Sequence, residues 1–268
     1  MPPPVPGMAR VAGELGILAA PFKLIALDEA DSTNTVAKRL CVADATDRTL
    51  VWARRQTAGR GRHQRAWISP PGNLYVSLIL RPRVDARQAT ALTFVAAVAV
   101  AEAVATLLPA GVAITCKWPN DVLVEGRKIA GILLETATAA DGAVEWVIIG
   151  IGINVASHPP ASETIYPATS LAGGGAAGVT VETLLEVLCP RLEFWLRRWA
   201  DEGFPVVRAA WLARAHDLGR PIAITGNRLP VRGIFRGLDG DGALVLDDGG
   251  ELRRMTVGDV LPALPAVP

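Results

Sequence analysis

The run from Arg87 to Leu108 is the strongest single constraint on the fold. It is rich in alanine and valine, and from Phe94 onward its one charged residue is Glu102. A helix that is apolar all round offers no face to water and must be enclosed by other elements. The segment Phe94 to Leu108 is about one buried helix long, too short and too interrupted to span a bilayer. Pro109 and Gly111 supply its stop signal. Strand-like segments lie on both sides of it, so the expectation is an α+β fold with this helix at its centre.

Half of the 268 residues are hydrophobic and 20% are charged, which is ample for a sizeable core. The formal net charge of +1 lacks the basic excess or stripe of a dedicated nucleic-acid binder. Cys41, Cys116 and Cys189 are widely spaced, odd in number and free of any CxxC pair, so neither a disulfide framework nor a zinc site is indicated. His63, His158 and His216 are equally scattered, and no metal site is expected. A reducing cytoplasm is the default. Residues 1–20, beginning Met1-Pro-Pro-Pro, read as a poorly ordered proline-rich tail with Met8 as an alternative start, and they lack the pattern of a secretory signal.

Phe22 to Leu27 reads as a first strand and Thr35 to Val42 as a helix, with Ser32 or Thr33 placed either to cap it or to hold a polar ligand group at its positive end. Strands follow at Leu50–Ala53, Leu74–Leu80 and Val112–Trp118. Val122–Val124 and Ile129–Glu135 form a predicted hairpin, and Val144–Val155 a long apolar strand. Val181–Trp199 and Phe204–Ala215 read as helices, the first kinked or split by Pro190. The last fifty residues change to short strands at Ile222–Thr225, Val231–Leu238, Ala243–Leu246 and Leu252–Val257, punctuated by Asp-Gly turns, which suggests a small β-barrel.

Two stretches carry chemistry. Gly59-Arg60-Gly61-Arg62-His63-Gln64-Arg65-Ala66-Trp67 combines close backbone approach, permanently charged planar forks and a flat indole. It suits a ligand with an anionic middle and an aromatic end. By itself it is equally a solvated basic loop or an arginine–glycine tract for nucleic acid. Lys117-Trp118-Pro119-Asn120-Asp121 ends a strand, with proline holding Trp118 extended and Asn120 and Asp121 in the following turn. Lys128 opens the next strand, which contains Gly131, a residue that weakens strands unless something must approach closely.

Taken jointly, Ser32-Thr33-Asn34, Gln56-Thr57, the Gly59–Trp67 loop, Lys117–Asp121, Gly126-Arg-Lys128-Ile-Ala-Gly131 and Gly150-Ile-Gly-Ile-Asn154 occur in an order and spacing that resembles biotin protein ligases, over about residues 22 to 260. The resemblance implies a catalytic domain over residues 21–216, a mixed sheet of the biotin/lipoate ligase type, and an SH3-like β-barrel over residues 217–268. It implies that biotin attacks MgATP to give biotinyl-AMP and pyrophosphate, and that a lysine of a biotin carboxyl carrier domain, as in acetyl-CoA carboxylase, then takes the biotin. ATP, biotin and Mg2+ (arriving with ATP) would be required. Lys128, Arg60, Asp121 and Lys117 would be catalytic, with Asp121 orienting or helping to deprotonate the acceptor lysine. Biotin would be held by Ser32, Thr33, Asn34, Gln56, Gly59, Arg60, Arg62, Lys128 and Gly131. The adenylate would be held by Arg62, Arg65, Trp67, Lys117, Asn120, Lys128 and Asn154, with Trp67 packed on adenine and Asn154 reading its edge.

Gln64 stands where the family usually has glycine, which implies a stiffer loop. About twenty residues precede the first strand, so no DNA-binding repressor domain and no DNA partner are expected, nor any membrane partner. A homodimer formed by pairing sheets edge to edge is open to such a chain. Lipoate or octanoate ligation is the nearest alternative; the Lys117–Asp121 stretch, the double-arginine loop and the C-terminal module favour biotin.

Overall fold

The computed structural model describes residues 21–139, 142–225 and 230–261. The expected N-terminal tail and the choice between Met1 and Met8 lie outside the described residues. The strands are β1 (Lys23–Ala30), β2 (Thr49–Gln56), β3 (Leu74–Leu80), β4 (Ile114–Lys117), β5 (Asp121–Val124), β6 (Arg127–Thr138), β7 (Val144–Ile153), β8 (Pro221–Thr225), β9 (Val231–Leu238), β10 (Leu244–Asp248), β11 (Glu251–Met255) and β12 (Asp259–Val260). The helices are α1 (Thr33–Val42), α2 (Ala86–Ala89), α3 (Ala91–Leu107), α4 (Val181–Glu202) and α5 (Phe204–Leu212).

Seven strands form a mixed sheet in the order β1-β2-β3-β7-β6-β5-β4, with β1 and β2 parallel and the other neighbours antiparallel. The alternation of side chains along each strand divides the sheet into two faces. Leu50 and Trp52 of β2, Leu74, Val76 and Leu78 of β3, and Val147, Ile149 and Ile151 of β7 join the large core with α3. Val51, Ala53, Ile79, Trp146 and Ile148 point the other way and pack with Val36, Ala37 and Cys41 of α1. The α1 face is covered along part of its width. Where α1 stops, the alternate positions on that face are Ser77, Gly150, Gly152 and Gly131, and the sheet floor lies open to a pocket.

The apolar run is central, as its composition requires, but it is two helices: α2 is opened by an Asp85–Gln88 capping box and ends at Thr90, after which α3 begins. Its span from Ala86 to Leu107 has membrane-like length and hydropathy, and 67% of its most apolar 18-residue stretch is buried within the fold. Glu102, the charge within it, accepts a hydrogen bond from Trp195 Nε1 at 3.0 Å and pairs with Arg214 at 3.3 Å. Helix α4 runs unbroken through Pro190, so the expected split is corrected. Proline removes one helical donor, and Arg191 Nη1 donates to the Val187 carbonyl at 2.9 Å within this turn.

The C-terminal strands form a five-stranded antiparallel sheet, β11-β10-β9-β8-β12. Its edge strands β11 and β12 are not paired with each other among the described residues, so the module is an open sheet there and not a closed barrel. Ile224, Phe235, Leu244 and Leu246 are buried in the same core as α3. Trp118 Nε1 donates to Gly242 O at 3.1 Å, tying the β4–β5 turn to this module. The outer edge of β4 is covered: Cys116 N donates to Arg214 O at 2.7 Å and Cys116 O accepts from His216 N at 2.8 Å.

Candidate active site

The pocket on the uncovered sheet face has a volume of about 670 Å3. Its floor is built by register: Gly131 of β6 pairs with Gly152 of β7, and Leu133 with Gly150. A side chain at Gly150 would strike Asn34, its Cβ lying 2.3 Å from Oδ1, and one at Gly152 would lie 2.6 Å from the indole of Trp67. The glycines that punctuate these strands are therefore what lets Asn34 and Trp67 lie flat on the sheet. Gly152→Ala is expected to unseat the indole and destabilise the fold by about 1–3 kcal/mol, the usual cost of overpacking. Thermal denaturation checks this, and an unchanged melting point would show that the indole does not rest there.

At one end, Ser32 occupies the N-cap position of α1 but makes no side-chain cap, and it is buried at the pocket wall. The structure thus removes the capping reading of its hydroxyl. Thr33 supplies both its N–H (2.8 Å) and its hydroxyl (3.2 Å) to Gln56 Oε1, and Gln56 Nε2 donates to Ser69 Oγ at 3.0 Å. Ser77 Oγ donates to Asn34 Oδ1 at 2.6 Å, and Asn34 Nδ2 donates to Glu135 Oε2 at 2.7 Å. Arg60 meets Glu135 at 3.5 Å and Thr35 Oγ1 at 3.3 Å. A satisfied polar network of this kind fixes side-chain orientation.

At the other end, Asp121 lies between two lysines, with Lys117 Nζ 2.9 Å from Oδ2 and Lys128 Nζ 2.6 Å from Oδ1. The Oδ1 contact is a charge contact without hydrogen-bond alignment. Asp121 begins β5 and pairs with Lys117 and Gly131, which corrects its expected place in the turn. The Trp118–Pro119 peptide is cis. Burial pushes the Asp121 carboxyl up, but the ammonium groups of Lys128 and Lys117 outweigh it and hold it at about 2. Lys117 Nζ also lies 4.6 Å from the centre of the Tyr166 ring, and Lys128 Nζ 5.3 Å from that of Trp67.

The Gly/Arg loop closes on itself, with Gly61 N donating to Arg65 O at 2.8 Å and Trp67 N to Gly59 O at 2.9 Å. His63 and Gln64 turn it with φ of 54° and 59°. It is then tied to the C-terminal sheet, because Asp259 receives Arg62 at 3.0 Å and Arg65 at 2.6 Å.

A biotin–[acetyl-CoA-carboxylase] ligase of Paracoccus denitrificans is 40% identical over 223 residues, covering 82% of this chain and 92% of the relative. The chain belongs to the biotin protein ligase family. The Biotin/lipoate A/B protein ligase family model matches residues 27–154, and the Biotin protein ligase C terminal domain model matches residues 217–261. A Mycobacterium tuberculosis biotin–[acetyl-CoA-carboxylase] ligase is 35% identical over 223 residues, covering 80% of this chain and 79% of the relative. Among solved structures, a biotin protein ligase from Aquifex aeolicus in complex with biotin and ATP superposes with a TM-score of 0.74 at 29% identity, covering 88% of this chain and 97% of that one.

In this biotin protein ligase fold, Ser32, Thr33, Asn34, Gln56, Arg60, Arg62, Arg65, Trp67, Lys117, Asn120, Asp121, Lys128, Gly131 and Asn154 all line the one pocket. Gly59 does not: a Cβ there would lie 2.5 Å from Trp67 O, so its role is to let the loop fold back on itself. Asn120 Nδ2 donates to Ile132 O at 2.6 Å and Asn154 Nδ2 to Thr169 O at 2.9 Å, so both amide nitrogens brace the wall. Sequence reasoning missed Tyr166, Ser77, Glu135 and Asp259. Tyr166 sits in a long connection without periodicity. Asp259 sits in a two-residue strand that no pattern announces.

Proposed function

We propose that this chain joins biotin to ATP as biotinyl-AMP and passes the biotin to a lysine of a carrier domain of a biotin-dependent carboxylase. The observation that carries this reading is the convergence of Lys117, Lys128 and the arginines of the Gly59–Trp67 loop over the glycine floor, beside the Ser32–Thr33–Gln56 network. Two anions have to meet here, and fixed cations are what make that meeting favourable.

A carboxylate oxygen of biotin attacks the α-phosphorus of ATP, the bond from that phosphorus to the bridging oxygen breaks, and pyrophosphate leaves. The acceptor amine then attacks the acyl carbon, the acyl–oxygen bond breaks, AMP leaves, and the amine proton passes to solvent. Lys128 neutralises the carboxylate and the forming acyl phosphate, and Lys117, Arg62 and Arg65 the phosphates. Asp121 and Asp259 are the counter-ions of these groups, so substrate anions compete with protein carboxylates for the same cations. A carboxyl held at about 2 is a weak proton acceptor, which favours an orienting role for Asp121 over a base. Both wall aspartates are engaged by cations, so Mg2+ belongs with the ATP phosphates as part of the substrate. Ser32, Thr33, Asn34, Gln56, Arg60 and Gly131 shape the biotin end, and Trp67, Asn120 and Asn154 the adenylate end. We further assign residues 21–216 to the catalytic unit and residues 217–268 to the closing module, in a cytoplasmic enzyme.

ATP–pyrophosphate exchange measured separately with biotin, lipoate and octanoate tests the reading. Exchange with biotin alone is expected, and exchange driven by either other acid would overturn it. Removing the latch gives a second test. Asp259→Ala should release Arg62 and Arg65 and raise the open loop population by about fivefold, the equivalent of about 1 kcal/mol for a partly exposed ion pair. Limited trypsin digestion reads this as faster cleavage between Arg62 and Arg65, and an unchanged rate would deny the latch.

A further inference from the structure

A second crevice, with a volume of about 570 Å3, lies at the far end of the central sheet. Leu80 lines it, while Tyr75 on the same strand lines the first pocket. Five residue steps along the strand separate them by roughly 17 Å at about 3.4 Å each. The crevice is bounded by the turn before β2, the β3–α2 connection, the α4–α5 junction and the β9–β10 turn.

Four arginines, Arg48, Arg81, Arg83 and Arg87, line it against two aspartates, Asp47 and Asp241. Arg48 is braced by Glu193 at 2.9 Å, and Arg81 by Asp44 at 3.3 Å and by the carbonyls of Ala45 and Cys41 at 2.9 and 3.0 Å, so both side chains are fixed in orientation. Asp47 is already shared between Arg48 and the Arg81 N–H, and Asp241 between Arg87 and Arg254. Arg83 is exposed and has no ion-pair partner among the described residues. Leu80, Leu196, Trp199 and Phe204 supply an apolar, partly aromatic wall.

We infer that this crevice is a second binding site, for a small phosphate ester carrying a planar ring, of the size and chemistry of a nucleotide. Guanidinium forks match phosphate oxygens, aromatic side chains accept a flat ring, and the volume falls in the range of small-ligand sites. The net charge of +1 and the confinement of these arginines to one crevice favour a small anion over a nucleic-acid strand.

Calorimetric titration of the full chain with ADP, with the first pocket kept saturated by a phosphate-free, non-hydrolysable analogue of biotinyl-AMP, tests the site, using wild type, Arg83→Ala/Arg87→Ala and Arg83→Lys/Arg87→Lys. Both positions are exposed and Asp241 keeps Arg254, so the variants should melt as wild type does and keep wild-type biotin-dependent exchange. The expected result is one ADP-binding event weakened at least about tenfold in the alanine variant and partly restored by lysine. An alanine variant that binds ADP as wild type does would overturn the proposal. So would equally tight binding of inorganic phosphate, since the wall would then have no part, or tighter binding of a single-stranded oligonucleotide at the same arginines.

Discussion

Lys128→Ala should lower biotin-dependent ATP–pyrophosphate exchange by about 10^2–10^3-fold, the range found when one preorganised donor to developing charge is removed. The fold should survive. The backbone of Lys128 is held by Pro167 O and Thr169 N at 2.7 and 2.9 Å, contacts that do not involve its side chain, and Asp121 retains Lys117. The division between kinetic constants is informative. A lysine that only anchored biotin would raise KM and spare kcat, whereas one that stabilises the forming acyl phosphate lowers kcat itself. The second pattern is the expected one, and a pure KM effect would reduce Lys128 to an anchor.

Asp121→Asn should have the largest effect on stability. It leaves Lys117, 5% exposed, and the half-buried Lys128 without their shared counter-ion. Removing one partner from a buried ion cluster costs about 3 kcal/mol or more. The effect depends on pH in a defined direction. The Asp121 carboxyl sits at about 2 against an ordinary 3.8, so its stabilisation is fully present above pH 3.8 and is lost as pH falls toward 2; a shift of that size corresponds to about 2 kcal/mol. Melting curves of wild type and variant should therefore be well separated at neutral pH and converge in acid. Pyrophosphate, which offers the lysines a replacement anion, should stabilise the variant more than wild type. A constant gap between the two proteins from neutral pH down to 2 would show that the carboxylate is not what holds the lysines.

The site was legible wherever residue chemistry and local spacing coincide. The Gly/Arg loop, the Lys117–Asp121 stretch and the Gly131, Gly150 and Gly152 positions stand out in sequence because glycine in an apolar strand and clustered arginine both need a reason. The structure places all of them around one pocket. Gln64 illustrates the limit of such reading. The expectation of glycine there has a visible cause, a φ of 59°, but a sequence does not reveal which residue must turn left-handed. Partners distant in sequence were out of reach. Asp259 meets Arg62 across 197 positions, and Glu135 meets Asn34 across 101; each is an ordinary acidic residue until the fold brings them together. The central helix is interrupted at Thr90 although that residue keeps helical dihedrals, and α4 continues through Pro190; neither outcome follows from local propensity alone.

The covering of β4 bears on how copies of this chain could assemble. With the outward N–H and carbonyl of Cys116 already bonded to Arg214 and His216, that margin of the large sheet offers no free ladder to a neighbouring strand. The opposite margin of the large sheet is β1, where Lys23, Asp28 and Glu29 are exposed. Charges along an edge discourage indiscriminate joining, so any association built there would be selective for a surface that answers those charges.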